Sequence, residues 1–332
     1  MNMQWNLKNK LKYNFIVTGS CGFIGFHLTL KICELFSHSQ IFGLDNLNDY
    51  YDISLKKNRL KILKKNKNFF FIKEDINNIN KITFPNKNKK TILIHLAAQA
   101  GVRYSFTNPR SYIDSNLSGF YEILEFAKKN KIFHLLTAST SSVYGNQKKF
   151  PLKESDNTNL PITLYAATKK SNEVMAHSYS SMYQIPITIL RLFTVYGSYG
   201  RPDMALYKFV KNILLKKPIN LFNKGNHSRD FTYIDDVVAY ILGIIFNPPK
   251  SKIPYEIFNV CGSNPKSLKE FVKLIENKIN IKSNKKYLKF QKGDVLKTFG
   301  SNLKINKKVK NIKHTSLDKG ISKFVDWFKD YS

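Results

Sequence analysis

The chain has 332 residues, of which 42% are apolar and 14% aromatic, enough for one large domain or two modest ones around a sizeable core, and this excludes a disordered chain. Its longest apolar run, Ala239 to Phe246, falls far short of the ~20 residues a membrane-crossing helix needs, and Met1 to Lys12 is polar and basic, unlike a secretory signal. The net charge of +31 comes from lysines scattered with asparagines along the whole length, in runs such as Lys64 to Asn68 and Asn86 to Lys90, so it reads as solvated loops rather than a nucleic-acid surface.

In chain order, Asn14–Thr18, Gln40–Asp45, Phe69–Lys73, Thr91–Leu96, His134–Ala138 and Ile187–Arg191 are short runs rich in β-branched and aromatic residues, expected to be buried strands. Helically spaced segments separate most of them. That alternation predicts an α/β fold, a Rossmann-type doubly wound parallel sheet with crossover helices. Between the first strand and the first helix lie Gly19, Gly22 and Gly25, with Phe23 and Ile24 between the last two. Glycines suit a tight turn where backbone must approach a pyrophosphate, and the free N–H groups of the helix start then meet its charge. A glycine triplet alone marks many ordinary turns. Here a strand precedes it, a helix follows, and Asp45 stands twenty residues beyond Gly25 at the end of the second strand. An acid there suits the adenosine ribose hydroxyls and repels a 2′-phosphate, so the expected cofactor is NAD rather than NADP. Asp75, after the third strand, is a candidate for adenine or for a helix cap.

Further along, Asn108 and Pro109 signal a helix start, with apolar residues following through Phe126. A second helix is expected over 164–183. It carries Tyr165 and Lys169 at i and i+4, on one face, where the ammonium, helped by an oxidised nicotinamide, is expected to lower the tyrosine pKa and fit it as a general base. That spacing is common by itself. Ser139 to Gly145, with Thr140, Ser141 and Ser142, gives it context, because hydroxyls at the C-terminal end of the fifth strand face the crevice where such sheets bind ligands. After about Gly197 glycine, proline and asparagine become frequent and the elements shorten. The last helix shows Leu317, Ile321, Phe324, Val325 and Phe328 on one face, with Thr315 or Ser316 as its cap. The division expected is a cofactor domain over 1–196, with part of 231–260 returning to it, and a substrate part over 197–332. Asp235 and Asp236 are expected to cap the helix that runs to Phe246. Three cysteines without a CxxC pair fit a reducing cytoplasm, and the seven histidines lack metal-ligand spacing, so no metal is expected.

Together the glycine loop, Asp45, the Ser/Thr loop and the Tyr/Lys helix resemble the extended short-chain dehydrogenase/reductase family. Within it the chain is similar to the UDP-glucuronate 4-epimerases over nearly its whole length. The stretches that carry this are Leu44 to Asp52, His95 to Ser105, Phe193 to Gly197 with Gly200 to Ala205, Arg229 to Asp236, and Gly293 to Val295. Thr137 and Thr140 depart from the family pattern, which often has Tyr and Ser there. The resemblance implies a catalytic group of Thr140, Tyr165 and Lys169, with Ser141 and Ser142 lending hydrogen bonds. It implies NAD contacts from Asn46, Ile76, Leu96, Ala97, Ala98 and Lys169 beside the glycine loop. It implies substrate contacts from Arg103, Asn116, Thr194, Arg201, Arg229 and Asp294, with Thr194 and Arg201 on the sugar carboxylate, Arg229 on the diphosphate and Asp294 on the uridine ribose. Asn116 reads equally as a buried amide satisfying backbone. The partners implied are a UDP-sugar and a second copy of the chain in a homodimer, with no nucleic acid and no membrane.

Dehydrating and decarboxylating relatives carry acids just after the catalytic Thr, where this chain has Ser141 and Ser142, which favours simple epimerisation. The expected activity is therefore NAD-dependent 4-epimerisation of a UDP-uronic acid, supplying a surface polysaccharide. A UDP-glucose 4-epimerase is the first rival, a UDP-glucuronate decarboxylase the second, and a non-catalytic NAD- or RNA-binding protein the rival of another class.

Overall fold

The computed structural model describes residues 13–84, 89–310 and 312–331. Met1 to Lys12 and the Asn86 to Asn88 part of the lysine–asparagine run lie outside them. Apolar runs form the strands β1 (Tyr13–Thr18), β2 (Ile41–Leu44), β3 (Phe69–Ile72), β4 (Lys90–His95), β5 (His134–Thr140) and β6 (Ile187–Leu192). With β10 (Tyr255–Val260) they make a seven-stranded sheet in the order β10-β6-β5-β4-β1-β2-β3, parallel throughout. The order reverses at β1, which pairs with both β2 and β4, and at such a switch point the crevice beyond the strand ends is open to a ligand. β3 departs from the expectation of full burial: it is the sheet's edge, and Phe70 is 43% exposed.

The crossovers are α1 (Phe23–Leu35), α2 (Ile53–Leu63), the short α3 (Tyr104–Thr107) and α4 (Arg110–Tyr112), then α5 (Gly119–Lys129) and α6 (Leu164–Tyr183). Asn108 Oδ1 does accept from Ser111 N at 3.3 Å, the expected cap. The helix it starts is not uniform, however. Residues Ile113–Ser118 form a π-turn, a wider coil that turns Asn116 inward.

The remaining elements are β7 (Thr194–Tyr196), α7 (Ala205–Leu214), β8 (Ile219–Phe222), β9 (Ser228–Tyr233), α8 (Ile234–Ile244), β11 (Pro265–Ser267), α9 (Leu268–Ile279), β12 (Lys285–Leu288), α10 (Leu303–Lys308) and α11 (Leu317–Tyr331). They add a three-stranded sheet, β11-β9-β7, and a parallel pair, β12-β8. One large core joins α1 and the sheet to α7, α8, α9 and α11, while a second lies under α5 and α6 on the other face. Lys319 N donates to Ser316 Oγ at 3.3 Å, so Ser316 is the expected cap of α11. Asp235 and Asp236 are not caps of α8, which has no side-chain cap. Asp236 accepts from Thr315 N and Oγ1, both at 2.9 Å, and Asp235 meets Lys323 at 3.2 Å, so both tie α8 to the last helix.

Candidate active site

The loops leaving β1 and β4 meet over the switch point. Gly19 has φ +71°, and a Cβ there would stand 2.7 Å from Ala97 N, so only glycine lets the two loops close. A Cβ at Gly25 would overlap the Gly19 carbonyl oxygen. α1 starts at Phe23 with no side-chain cap at Gly22 and no acid in its first turn, which leaves its first N–H groups for a ligand. Ile24, Leu96, Ala97 and Ala98 are half-buried along this cradle. Asp45, at the end of β2, is buried and accepts from Cys21 N at 3.0 Å and Leu47 N at 2.8 Å, which ties it to the glycine loop. Asp75 takes the capping option, accepting from Asn77 N at 2.9 Å, and its other oxygen accepts from the Asn46 amide at 2.8 Å. Ile76 is buried against Gly119. Sequence reasoning missed Lys56 and Arg59 on α2. Arg59 is fully buried, donating to Cys21 O at 2.8 Å and Tyr199 O at 2.6 Å, and Lys56 donates to the Asn48 carbonyl at 2.8 Å.

β5 ends in Thr140, whose hydroxyl accepts from Ser142 N at 3.2 Å and reaches the Tyr165 phenol on α6. Ser142 Oγ is 3.2 Å from Thr140 Oγ1, and Ser141 opens the same short turn. Lys169 is not among the protein groups that act on the Tyr165 pKa, and the expected lowering also called on the nicotinamide charge. Burial pushes the phenol up, and the opposing influences are the Thr140 hydroxyl and then the Arg201 charge. Lys169 is 3% exposed and has no hydrogen-bond or ion-pair partner among the described residues. Burial, offset in part by Glu173 one turn on, brings its ammonium down to about 8. Glu173 itself is locked by Arg191, with Nε and Nη2 at 2.9 and 2.8 Å, and by Ser139 at 2.7 Å. Beneath the site His95 meets the Thr18 hydroxyl at 2.8 Å, and burial together with the Lys169 charge keeps its pKa well below the ordinary value.

Asn116 does not open onto this crevice. It is 1% exposed and spends its amide on Gln99 N at 2.8 Å, Gln99 O at 3.1 Å and Thr168 Oγ1 at 3.1 Å, the backbone-satisfying alternative. Thr194 and Arg201 line one cavity with Phe23 and Phe231. Arg201 is already engaged there: Nε donates to Asp203 Oδ1 at 2.9 Å and Nη2 to Oδ2 at 2.5 Å. Neither Asp203 nor its second partner, Tyr50 at 3.1 Å, was singled out from sequence. A separate group gathers Arg103, Arg229 and Asp294. Arg103 lies 3.4 Å from Asp294 and 4.8 Å over the Phe222 ring, while among the described residues Arg229 donates only to the Ser228 and Leu296 carbonyls, at 3.0 and 3.3 Å. Burial lowers the Arg229 pKa, Asp294 opposes it in part, and the Arg103 charge adds a smaller lowering, so this guanidinium is short of negative charge.

A dinucleotide fits these residues: a cradle that a Cβ would fill, uncapped N–H groups at α1, and a buried ammonium without a partner among the described residues. Residues 15–261 match the model of the NAD dependent epimerase/dehydratase family. The chain is 43% identical to protein CapI of Staphylococcus aureus over 95% of this chain and 98% of that one. It is 39% identical to the probable UDP-glucuronate 4-epimerase of Rhizobium meliloti (strain 1021), over 95% and 96%. The crystal structure of UDP-glucuronic acid 4-epimerase from Bacillus cereus, in complex with UDP-glucuronic acid and NAD, superposes with a TM-score of 0.88 at 31% identity, covering 96% of this chain and 100% of that one.

Proposed function

The chain belongs to the NAD dependent epimerase/dehydratase family, and on that footing we propose that it interconverts UDP-glucuronate and UDP-galacturonate by NAD-dependent epimerisation at C4, in the cytoplasm, for a surface polysaccharide. When bound, NAD supplies the acceptor and donor of the C4 hydride. Tyr165 takes the proton of the 4-hydroxyl and returns it, with Thr140 donating to the phenolate, and Lys169 would help hold the cofactor. Ser141 and Ser142 hydrogen-bond the sugar while the 4-keto intermediate turns over. Phosphate falls to Arg229 with Arg103, the ribose to Asp294, and the carboxylate to Thr194 and Arg201.

The observation that carries this reading is the Tyr165–Thr140 contact beside a loop without a carboxyl, with Arg201 near enough to influence the Tyr165 pKa. An acid at 141 or 142 would equip the site for dehydration, and a neutral residue at 201 would suit a neutral sugar. The described residues up to 196, with β10, then form the cofactor part, and the rest closes on the sugar nucleotide. All three cysteines are buried and unpaired, which fits a reducing compartment. For the homodimer, α5 and α6 supply the face: Tyr121, Val174, Met182 and Tyr183 are 46–58% exposed on them.

Proton NMR of purified protein, incubated separately with UDP-glucuronate, UDP-glucose and UDP-xylose, tests the activity. UDP-galacturonate from the first alone is the expected outcome. Turnover of UDP-glucose alone would make it the neutral-sugar enzyme, UDP-xylose from UDP-glucuronate would make it a decarboxylase, and no turnover would leave a binding protein.

A further inference from the structure

Arg201 reaches the crevice from the loop after β7, and its guanidinium is divided between two edges. The Nε–Nη2 edge is bound side-on by Asp203 at 2.9 and 2.5 Å. The Nη1 donors have no hydrogen-bond partner among the described residues. Asp203 is held in turn: its Oδ2 accepts from the Tyr50 hydroxyl at 3.1 Å, on the loop between β2 and α2. The Tyr50 ring lies 5.9 Å from the Arg201 guanidinium and 4.8 Å from the Tyr104 ring. Below the Tyr50 hydroxyl is Gly101, at φ +99°, where a Cβ would overlap it. Three loops that are distant in sequence thus converge on one arginine. Burial would raise the Asp203 carboxyl, but Arg201 and the Tyr50 hydroxyl outweigh burial and keep it ionised.

A side-on carboxylate fixes both the position and the plane of a guanidinium. It also occupies the edge that an incoming carboxylate would otherwise take, so a ligand is left with the Nη1 end. We propose that Asp203, braced by Tyr50, is a positioning residue that sets the plane of Arg201 and so holds the substrate carboxylate out of the orientation in which the 4-keto intermediate loses CO2. This rests on the reading that Arg201 grips that carboxylate. The loss it prevents is a balanced step. The C5–C6 bond breaks when it stands perpendicular to the C4 ketone plane, its electron pair passes into the C5–C4–O4 enolate, CO2 leaves, and a solvent proton adds at C5 to give a UDP-4-keto-pentose.

The experiment is to follow UDP-glucuronate labelled with carbon-13 at C6, counting CO2 released per epimerisation in wild type, Asp203→Asn, Tyr50→Phe and Arg201→Gln. KM, retained NAD and melting temperature are recorded for each protein. The expected result is a roughly tenfold rise in the CO2 fraction for Asp203→Asn and a smaller rise for Tyr50→Phe, with NAD content unchanged, since small misplacements at reacting centres have effects of that order or more. A wild-type CO2 fraction and KM in Asp203→Asn, beside a raised fraction in Arg201→Gln, overturns the proposal and leaves the Arg201 reading intact. A wild-type fraction in Arg201→Gln overturns the reading beneath it. Should Asp203→Asn not fold, Tyr50→Phe decides alone, and an unchanged fraction there overturns the proposal.

Discussion

As the proposed base, Tyr165 would have to release a proton near neutral pH from a position where burial holds the proton on. The Thr140 hydroxyl and Arg201 oppose burial without cancelling it, so the phenol depends on further positive charge at the moment of reaction. Replacing Tyr165 with Phe removes the base while leaving the ring, and kcat is expected to fall by roughly a thousandfold with bound NAD unchanged, measured by single-turnover NMR and by cofactor absorbance. Lys169 gives a second expectation. Its ammonium titrates at about 8, below an ordinary lysine, because of burial. A ligand that prefers the charged form binds better below that value, so NAD affinity should fall roughly threefold or more as pH rises from about 7 to about 9. Lys169→Arg, whose charge does not titrate in this range, should flatten the profile, and isothermal titration would read both. Tyr165 and Lys169 were legible because the helix itself puts i and i+4 on one face. The upward push of burial on Tyr165 was not, because desolvation depends on how tightly α6 packs against β5. The Asp203–Tyr50 bond was equally hidden: it joins loops 153 residues apart, and only Asp203's place two residues after Arg201 offered a signal.

At the scale of elements, α6 follows the expected bounds because Thr163 caps it, accepting from Ala166 N at 3.2 Å, and Gln184 ends it in the left-handed conformation. Apolar periodicity could not report the π-turn at Ile113–Ser118, whose extra residue per turn answers to a tertiary demand. Asn116 there holds Gln99 and Thr168, while its own carbonyl accepts from Asn172 at 2.5 Å. Nor could composition distinguish β3 as an edge, since Phe69–Ile72 reads as apolar as any central strand. The outward face of α6 leads to a prediction about assembly. Val174 is 58% exposed on a helix whose neighbour α5 also presents Tyr121, at 47%. A buried glutamate without a partner is costly, so Val174→Glu should convert the proposed dimer to monomer in analytical ultracentrifugation while melting within a few degrees of wild type. A wild-type mass that stays monomeric would remove α5 and α6 as the interface.

The whole molecule carries 54 basic residues against 23 acidic ones, and the described ion pairs engage only a fraction of the bases. Glu173–Arg191 is a buried pair matched locally, while Lys56, Arg59 and Lys169 are buried without an ion pair among the described residues, and the many exposed lysines act at long range. Screening confines that field to about 8 Å at physiological salt, and dilute buffer extends it. The proposed substrate is anionic at both the diphosphate and the carboxylate, and a field of opposite sign raises its rate of encounter without altering the chemical step. kcat/KM for UDP-glucuronate should therefore fall roughly fivefold between about 20 and about 300 mM NaCl, with kcat held constant, the sign expected of steering. A flat kcat/KM would mean that the lysines cancel one another at the crevice, and that the site's own Arg103, Arg229 and Arg201 account for its attraction to anions. A fall in kcat as large as that in kcat/KM would instead place the salt effect inside the site, on a pair such as Arg201–Asp203 whose geometry the chemistry needs.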